Sequence, residues 1–209
     1  MRNHSVLFFL LLFLTGCASY NASLAPVPKL ETLPASTSQG DIVVGADPYV
    51  QSVRQQAVFD GNLVEEGIFP IQIFVRNNGD RKVLIRRSDM MLLLSDGKQV
   101  TPAGAFAVAS KLEKTSSHFW PTFFFGLAGA FAAENASEKA KTARKEDCQS
   151  KEFKDVTLGK SESSYGFVYF VPPAGTESFK NATLTVRCID TENSSSSVVK
   201  LPLSFVNNK

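Results

Sequence analysis

Histidine is nearly missing from this chain: 209 residues contain two, His4 and His118, and the first sits at the start of an apolar leader. A serine triad needs an imidazole base, and a protein zinc site takes three or four His, Cys or carboxylate ligands. One histidine beside Phe119 and Trp120 therefore reads as structural or surface. Cysteine is also scarce, with three copies at 17, 148 and 188, and no Cys-x-x-Cys, phosphate-cradling glycine loop or calcium loop occurs. The acidic pairs Glu65-Glu66 and Glu146-Asp147 read as turn and helix-end charges rather than as a glycosidase pair. An excess of one charge is lacking too, since 22 basic residues meet 20 acidic ones. The nearest thing to a basic cluster, Lys139 to Lys145, alternates with neutral residues and runs into Glu146 and Asp147, so nucleic acid is not an expected partner. These absences lead to the expectation of a chain that is not an enzyme and holds no cofactor or metal.

What is present starts with an address. Residues 1–16 read as an export signal: a basic start (MRNHS), nine apolar residues from Val6 to Leu14, then the small Thr15 and Gly16. Nine helical residues rise only about 14 Å, far short of a hydrocarbon core of about 30 Å. Leu14-Thr15-Gly16-Cys17 resembles the lipobox of bacterial lipoproteins. The resemblance implies cleavage before Cys17, a diacylglyceryl thioether on its sulfur and a further palmitate-type chain on the freed amine. Each buried methylene contributes about 0.8 kcal/mol, so two or more chains anchor stably where one is marginal. The membrane is then a partner through lipid on Cys17. Because Ala18 stands where a retained inner-membrane lipoprotein commonly has aspartate, the resemblance also implies the outer membrane, facing the periplasm, in a Gram-negative source. Residues 17–41, rich in Ser, Ala and Pro, read as a lipidated flexible tether; 24 residues of coil reach roughly 27 Å.

Residues 42–209 read as one domain. Ile71, Ile73 and Val75 alternate with Gln72, Phe74 and Arg76, and Asn77-Asn-Gly-Asp follows as the turn of a hairpin whose return arm starts at Lys82. Asp96-Gly97 marks a second hairpin after Met90 to Leu94. Further strands are expected at Ile42 to Val44, Lys154 to Leu158, Tyr165 to Val171, Ala182 to Ile189 and Val198 to Phe205. Short strands without regular helix alternation predict a mainly β fold, an antiparallel immunoglobulin-like β-sandwich. Asp47 to Phe59 reads as a short helix capped by Asp47, with Val50, Val53 and Ala57 on its packed face.

Between about 103 and 150 the strand pattern stops, and alanines at 136, 140 and 143 fall on one helical face, which predicts a two-helix insertion. Its stretch Phe119 to Ala133 has no charge and eleven apolar residues in fifteen. Phe119, Trp120, Phe123, Phe124 and Phe125 either cover an end or face of the sandwich or form a patch that docks on lipid or a protein partner. Cys148 and Cys188 either form a disulfide, worth on the order of 4 kcal/mol for a loop of about 40 residues, or are two separate buried thiols. The Asn-x-Ser/Thr triplets at Asn21, Asn135, Asn181 and Asn193 carry no meaning beside a bacterial lipid signal.

The order of Pro70-Ile-Gln-Ile-Phe-Val-Arg-Asn-Asn-Gly, the Ser95-Asp-Gly-Lys turn, the Ala/Gly-rich insertion and Tyr165-Gly-Phe-Val-Tyr-Phe-Val-Pro also resembles a group of bacterial envelope proteins of unassigned activity. That likeness, over about 42–205, supports the architecture and supplies no site. The expected role is a membrane-anchored binding or structural module with an envelope protein partner. The competing role is an envelope hydrolase, or an accessory subunit of an envelope complex, with a site in strand-end loops.

Overall fold

The computed structural model describes residues 20–116, 126–173 and 181–203. The leader, Cys17, His118 and Phe119, Trp120, Phe123, Phe124 and Phe125 lie outside the described residues, as does the close of the last predicted strand. In chain order the elements are a 3-10 turn at Leu30–Thr32, β1 (Ala35–Gln39), β2 (Ile42–Pro48), α1 (Ser52–Phe59), β3 (Phe69–Asn77), β4 (Val83–Leu93), β5 (Gln99–Val100), β6 (Pro102–Ala103), α2 (Ala105–Ser116), α3 (Gly126–Lys151), β7 (Val156–Leu158), β8 (Ser163–Phe170), β9 (Thr183–Asp190) and β10 (Ser196–Pro202).

The strands form two antiparallel sheets, ordered β1-β2-β3-β8-β6 and β10-β9-β4-β5, with β7 on β4. One core lies between them: Val44, Ile71, Ile73, Val75 and Phe170 from the first sheet meet Ile85, Met90, Leu92, Leu184, Val186 and Val199 from the second. This is the predicted sandwich, and the predicted two-helix insertion is α2 and α3. A second core lies on the outer face of the first sheet, where Tyr49, Phe59, Leu63, Val108, Leu112 and Cys148 cover Phe167 and Tyr169. Strand β3 explains how both cores form from one sheet. Its odd residues from Phe69 to Val75 enter the inter-sheet core, and Gln72 and Phe74 on the other face are buried as well.

Strands β3 and β4 do not form the expected hairpin. Both edges of β3 are taken, by β2 and by β8, so the chain crosses to the other sheet. Asn77, 1% exposed, steers the crossing: its Nδ2 donates to the carbonyls of Arg81 (2.7 Å) and Leu158 (3.1 Å), and its Oδ1 accepts from Gly79 N (3.0 Å). The Asp96-Gly97 hairpin does form, with Leu92 opposite Val100 and Gly97 at a φ of 83°.

The expected short helix ends at Phe59 as predicted but starts at Ser52 rather than at Asp47. Asp47 and Pro48 belong to β2, opposite Gln72 and Ile71, and Gln51 stands at the N-cap. The buried face of α1 is Gln55, Val58 and Phe59, while Val53 is 80% exposed. Asp47 fails as a cap because its carboxylate is engaged in a fork by the Arg54 guanidinium at 3.0 and 2.5 Å.

The segment read as a flexible tether is laid on the domain throughout its described part. Ala35–Gln39 pairs with β2 across a turn in which Gly40 takes a φ of 58°, and the Leu33 side chain packs over Gly45. Upstream, Ser23 donates from both its amide (2.9 Å) and its hydroxyl (2.8 Å) to Ala57 O, and Pro26 O accepts from Gln72 Nε2 at 2.7 Å. Proline- and alanine-rich chain reads as coil by composition, but it loses little side-chain entropy when it is laid against a surface.

The alternative of a Cys148–Cys188 disulfide is not realised: both cysteines are free and buried. Cys188 belongs to the inter-sheet core and Cys148 to the helix-covered one, so the first sheet stands between them. The thermal midpoint is therefore expected to be the same with and without reductant. A thiol reagent should find both cysteines only after denaturation; their protection by oxidation in denaturant would contradict this arrangement.

Candidate functional site

Polar chemistry concentrates where the N-terminal segment meets the helix layer. On the last turns of α3, Asp147 and Lys151 stand one turn apart. The Lys151 side chain is 4% exposed, and its Nζ donates to Asp147 Oδ2 at 2.5 Å and to Val58 O. Val58 lies in the last turn of α1, where carbonyls lack a helical partner, so the ammonium joins the ends of two helices. Asp147 Oδ2 also accepts from the Tyr20 hydroxyl at 2.6 Å, and the Arg144 guanidinium lies 5.4 Å from the Tyr20 ring centroid. Beneath them the Tyr169 hydroxyl donates to Cys148 O at 3.2 Å.

An aromatic cluster supports these groups. Phe167 meets Tyr49 edge-on at 4.8 Å and Phe59 at 4.9 Å, and the Arg54 guanidinium stands 3.9 Å over the Tyr49 ring. At the other end of the layer, Glu152 accepts from Ala105 N at 2.8 Å at the start of α2, where a carboxylate complements the helix dipole, and it faces Arg87 Nε at 3.5 Å.

Burial dominates the proton chemistry. It pushes the Cys148 thiol up to about 12, helped by the Asp147 charge, and the Cys188 thiol up to about 11. Neither is a nucleophile near neutrality. The Tyr20 phenol is raised by burial and then by its bond to Asp147, and Tyr49 and Tyr169 are raised by burial. A raised acid holds its proton in the folded chain, so this stability is complete below the unfolded values of 9.0 for thiol and 10.0 for phenol and is lost as pH climbs beyond them. Tyrosine ionisation followed at 295 nm should therefore include a fraction that appears only together with loss of far-ultraviolet ellipticity. Complete ionisation of a still-folded chain would contradict the burial.

Beside this cluster, Asn21, Ser52, Val53, Gln56, Ala57, Asp60, Asn62 and Glu65 line an open depression of about 730 Å³. Gln55 Nε2 beside it and Asn62 Oδ1 in its lining are buried atoms without a hydrogen-bond partner among the described residues. Among the described residues no group of three or more His, Cys, Asp or Glu is placed to hold a metal ion. Among them, too, no helix is long and apolar enough to cross a membrane.

Of the candidate site residues named from sequence, Cys148 enters the cluster, Cys188 lies in the other core, and Cys17, Phe119, Trp120, Phe123, Phe124 and Phe125 are outside the described residues. Asp147 was read only as a helix-end charge, and Tyr20 and Lys151 were missed. A lone aromatic in a Ser/Ala/Pro segment, and an acid and a base four apart on a predicted helix, were the available signals.

No family model and no curated protein sequence matches the chain. Among solved structures it is similar to a candidate lipoprotein (ycdA) of Bacillus subtilis, at 11% identity and a TM-score of 0.37, over 79% of this chain and 37% of that one. The yjhA protein of the same species is similar at 12% identity and a TM-score of 0.39, over 80% of this chain and 96% of that one. The secreted protein MPT63 of Mycobacterium tuberculosis is similar at 15% identity and a TM-score of 0.34, over 78% and 90%. The chain thus spans 37% of the length of the first of them.

Proposed function

We propose that this chain is a lipid-anchored protein of the bacterial cell envelope, attached through Cys17, that works as a binding or structural module without catalysis. The observation that carries the proposal is the N-terminal order of basic start, apolar run, Leu14-Thr15-Gly16 and Cys17. In a Gram-negative source, Ala18 directs it to the outer membrane, facing the periplasm. The absence of a reaction is supported by the occupation of the ionisable groups around the helix layer and core: Lys151 pairs with Asp147 and Val58 O, Arg54 pairs with Asp47, and both described thiols are held protonated.

Mass spectrometry of the N-terminal peptide of membrane-extracted protein tests the anchor. A peptide starting at Cys17 and carrying diacylglyceryl is expected, and Cys17→Ser should release the chain from membranes on fractionation. A mature product with an unmodified Cys17, or one retaining residues 1–16, would refute the proposal. Cross-linking in intact envelopes then reads out the protein partner.

A further inference from the structure

Resting on the lipid anchor proposed at Cys17, we infer that the domain is held against its own bilayer, with the face made by residues 20–27 and the outer side of α1 turned toward the lipid. Only Ala18 and Ser19 separate Cys17 from Tyr20, and Tyr20 is already fastened to Asp147 on α3. The three Cα-to-Cα steps from Cys17 to Tyr20 reach no more than about 11 Å, against roughly 27 Å for the coil that composition alone suggests. The anchor therefore sets an orientation as well as an address.

The fastening is repeated along the segment. Asn21 N donates to Asp60 Oδ2 at 3.1 Å, Ser23 bonds Ala57 O twice, and Pro26 O receives Gln72 Nε2. On this face the two most exposed large apolar side chains of the chain's described part stand out: Leu24 at 91% and Val53 at 80%. Leu24 follows the serine bound to Ala57, and Val53 precedes Ala57 by one helical turn and lines one depression with Asn21 of the segment. Neither side chain contributes to either core. Asp60 and Glu65 line the same depression as Val53. That mix of isolated apolar side chains and wet carboxylates suits the headgroup zone rather than the hydrocarbon.

The test uses full-length lipidated protein, checked for its lipid by mass spectrometry and reconstituted into phosphatidylcholine vesicles doped with a headgroup spin-labelled lipid. A fluorophore is placed through Val53→Cys or Leu24→Cys on the inferred face, or through Lys200→Cys on the exposed side of β10; all three positions are exposed and the native thiols are buried. The labels at 53 and 24 should lose most of their emission while the label at 200 keeps its own. A flexible Gly/Ser insert of about twelve residues between Ser19 and Tyr20 adds roughly 19 Å of mean reach and should restore the emission at 53 and 24 with the lipid still in place. Equal quenching at all three positions, or none, in lipidated protein would overturn the orientation and leave the anchor standing. Absence of lipid would overturn both.

Discussion

Replacing Lys151 by methionine should cost about 3–5 kcal/mol of folding stability, because the variant leaves Asp147 without its cation and Val58 O without its donor in a nearly closed site. For a chain of this length the midpoint should fall by on the order of 10 °C. The paired nature of the site supplies the control. Exchanging both charges for apolar groups, Lys151→Met with Asp147→Leu, should recover much of the loss, since a buried ion pair is often matched by apolar packing while a widowed charge is not. A double-mutant cycle by urea denaturation measures the coupling. A single variant that loses less than the cost of an ordinary surface change would show that water reaches Nζ and that the two helix ends are not joined through it.

Gly166→Ala should be nearly as damaging, at about 3 kcal/mol or more, for a different reason. A Cβ at this position of β8 would stand 2.6 Å from Phe153 Cα and 2.7 Å from Phe153 N. These are backbone atoms, and Phe153 N is held by its donation to Phe167 O at 2.8 Å, so the neighbour cannot retreat without breaking a bond. Gly45→Ala is the comparison. There the added carbon meets the Cδ1 ends of two side chains, Leu33 and, at 3.2 Å, Leu30, and both can swing. Its cost should fall toward the lower end of the 1–3 kcal/mol typical of overpacking, about 1 kcal/mol. Urea midpoints that rank Gly45→Ala below Gly166→Ala would reverse the argument.

The sandwich was legible because its signals are local. Alternation along Phe69 to Arg76, the Asp96-Gly97 turn and the alanine spacing before Cys148 each settle one element. What escaped was pairing. Nothing in Asn77-Asn-Gly-Asp records that β2 and β8 occupy both edges of β3, so a turn signal was taken for a hairpin. Cys148 on α3 and Cys188 on β9 could be counted but not assigned to opposite sides of the first sheet, because a local pattern marks a buried face without recording which core that face enters. Tyr20 was hidden in a composition that reads as coil. Its acceptor Asp147 lies 127 residues away, as Ala57 lies 34 residues from Ser23, and long-range acceptors leave no local trace. Cys17, on which the role depends, rests on motif alone.

The two cores share a single wall. Phe167 and Tyr169 point out of β8 into the helix layer, and Val168 and Phe170 between and beyond them point into the sandwich. Opening the helix layer exposes one compartment and leaves the other sealed, so amide protons of α1 should exchange with deuterated solvent through a smaller, sub-global event than those of β3 and β8. The wall strands then report the full cost of unfolding, and the helices report only the cost of detaching from them.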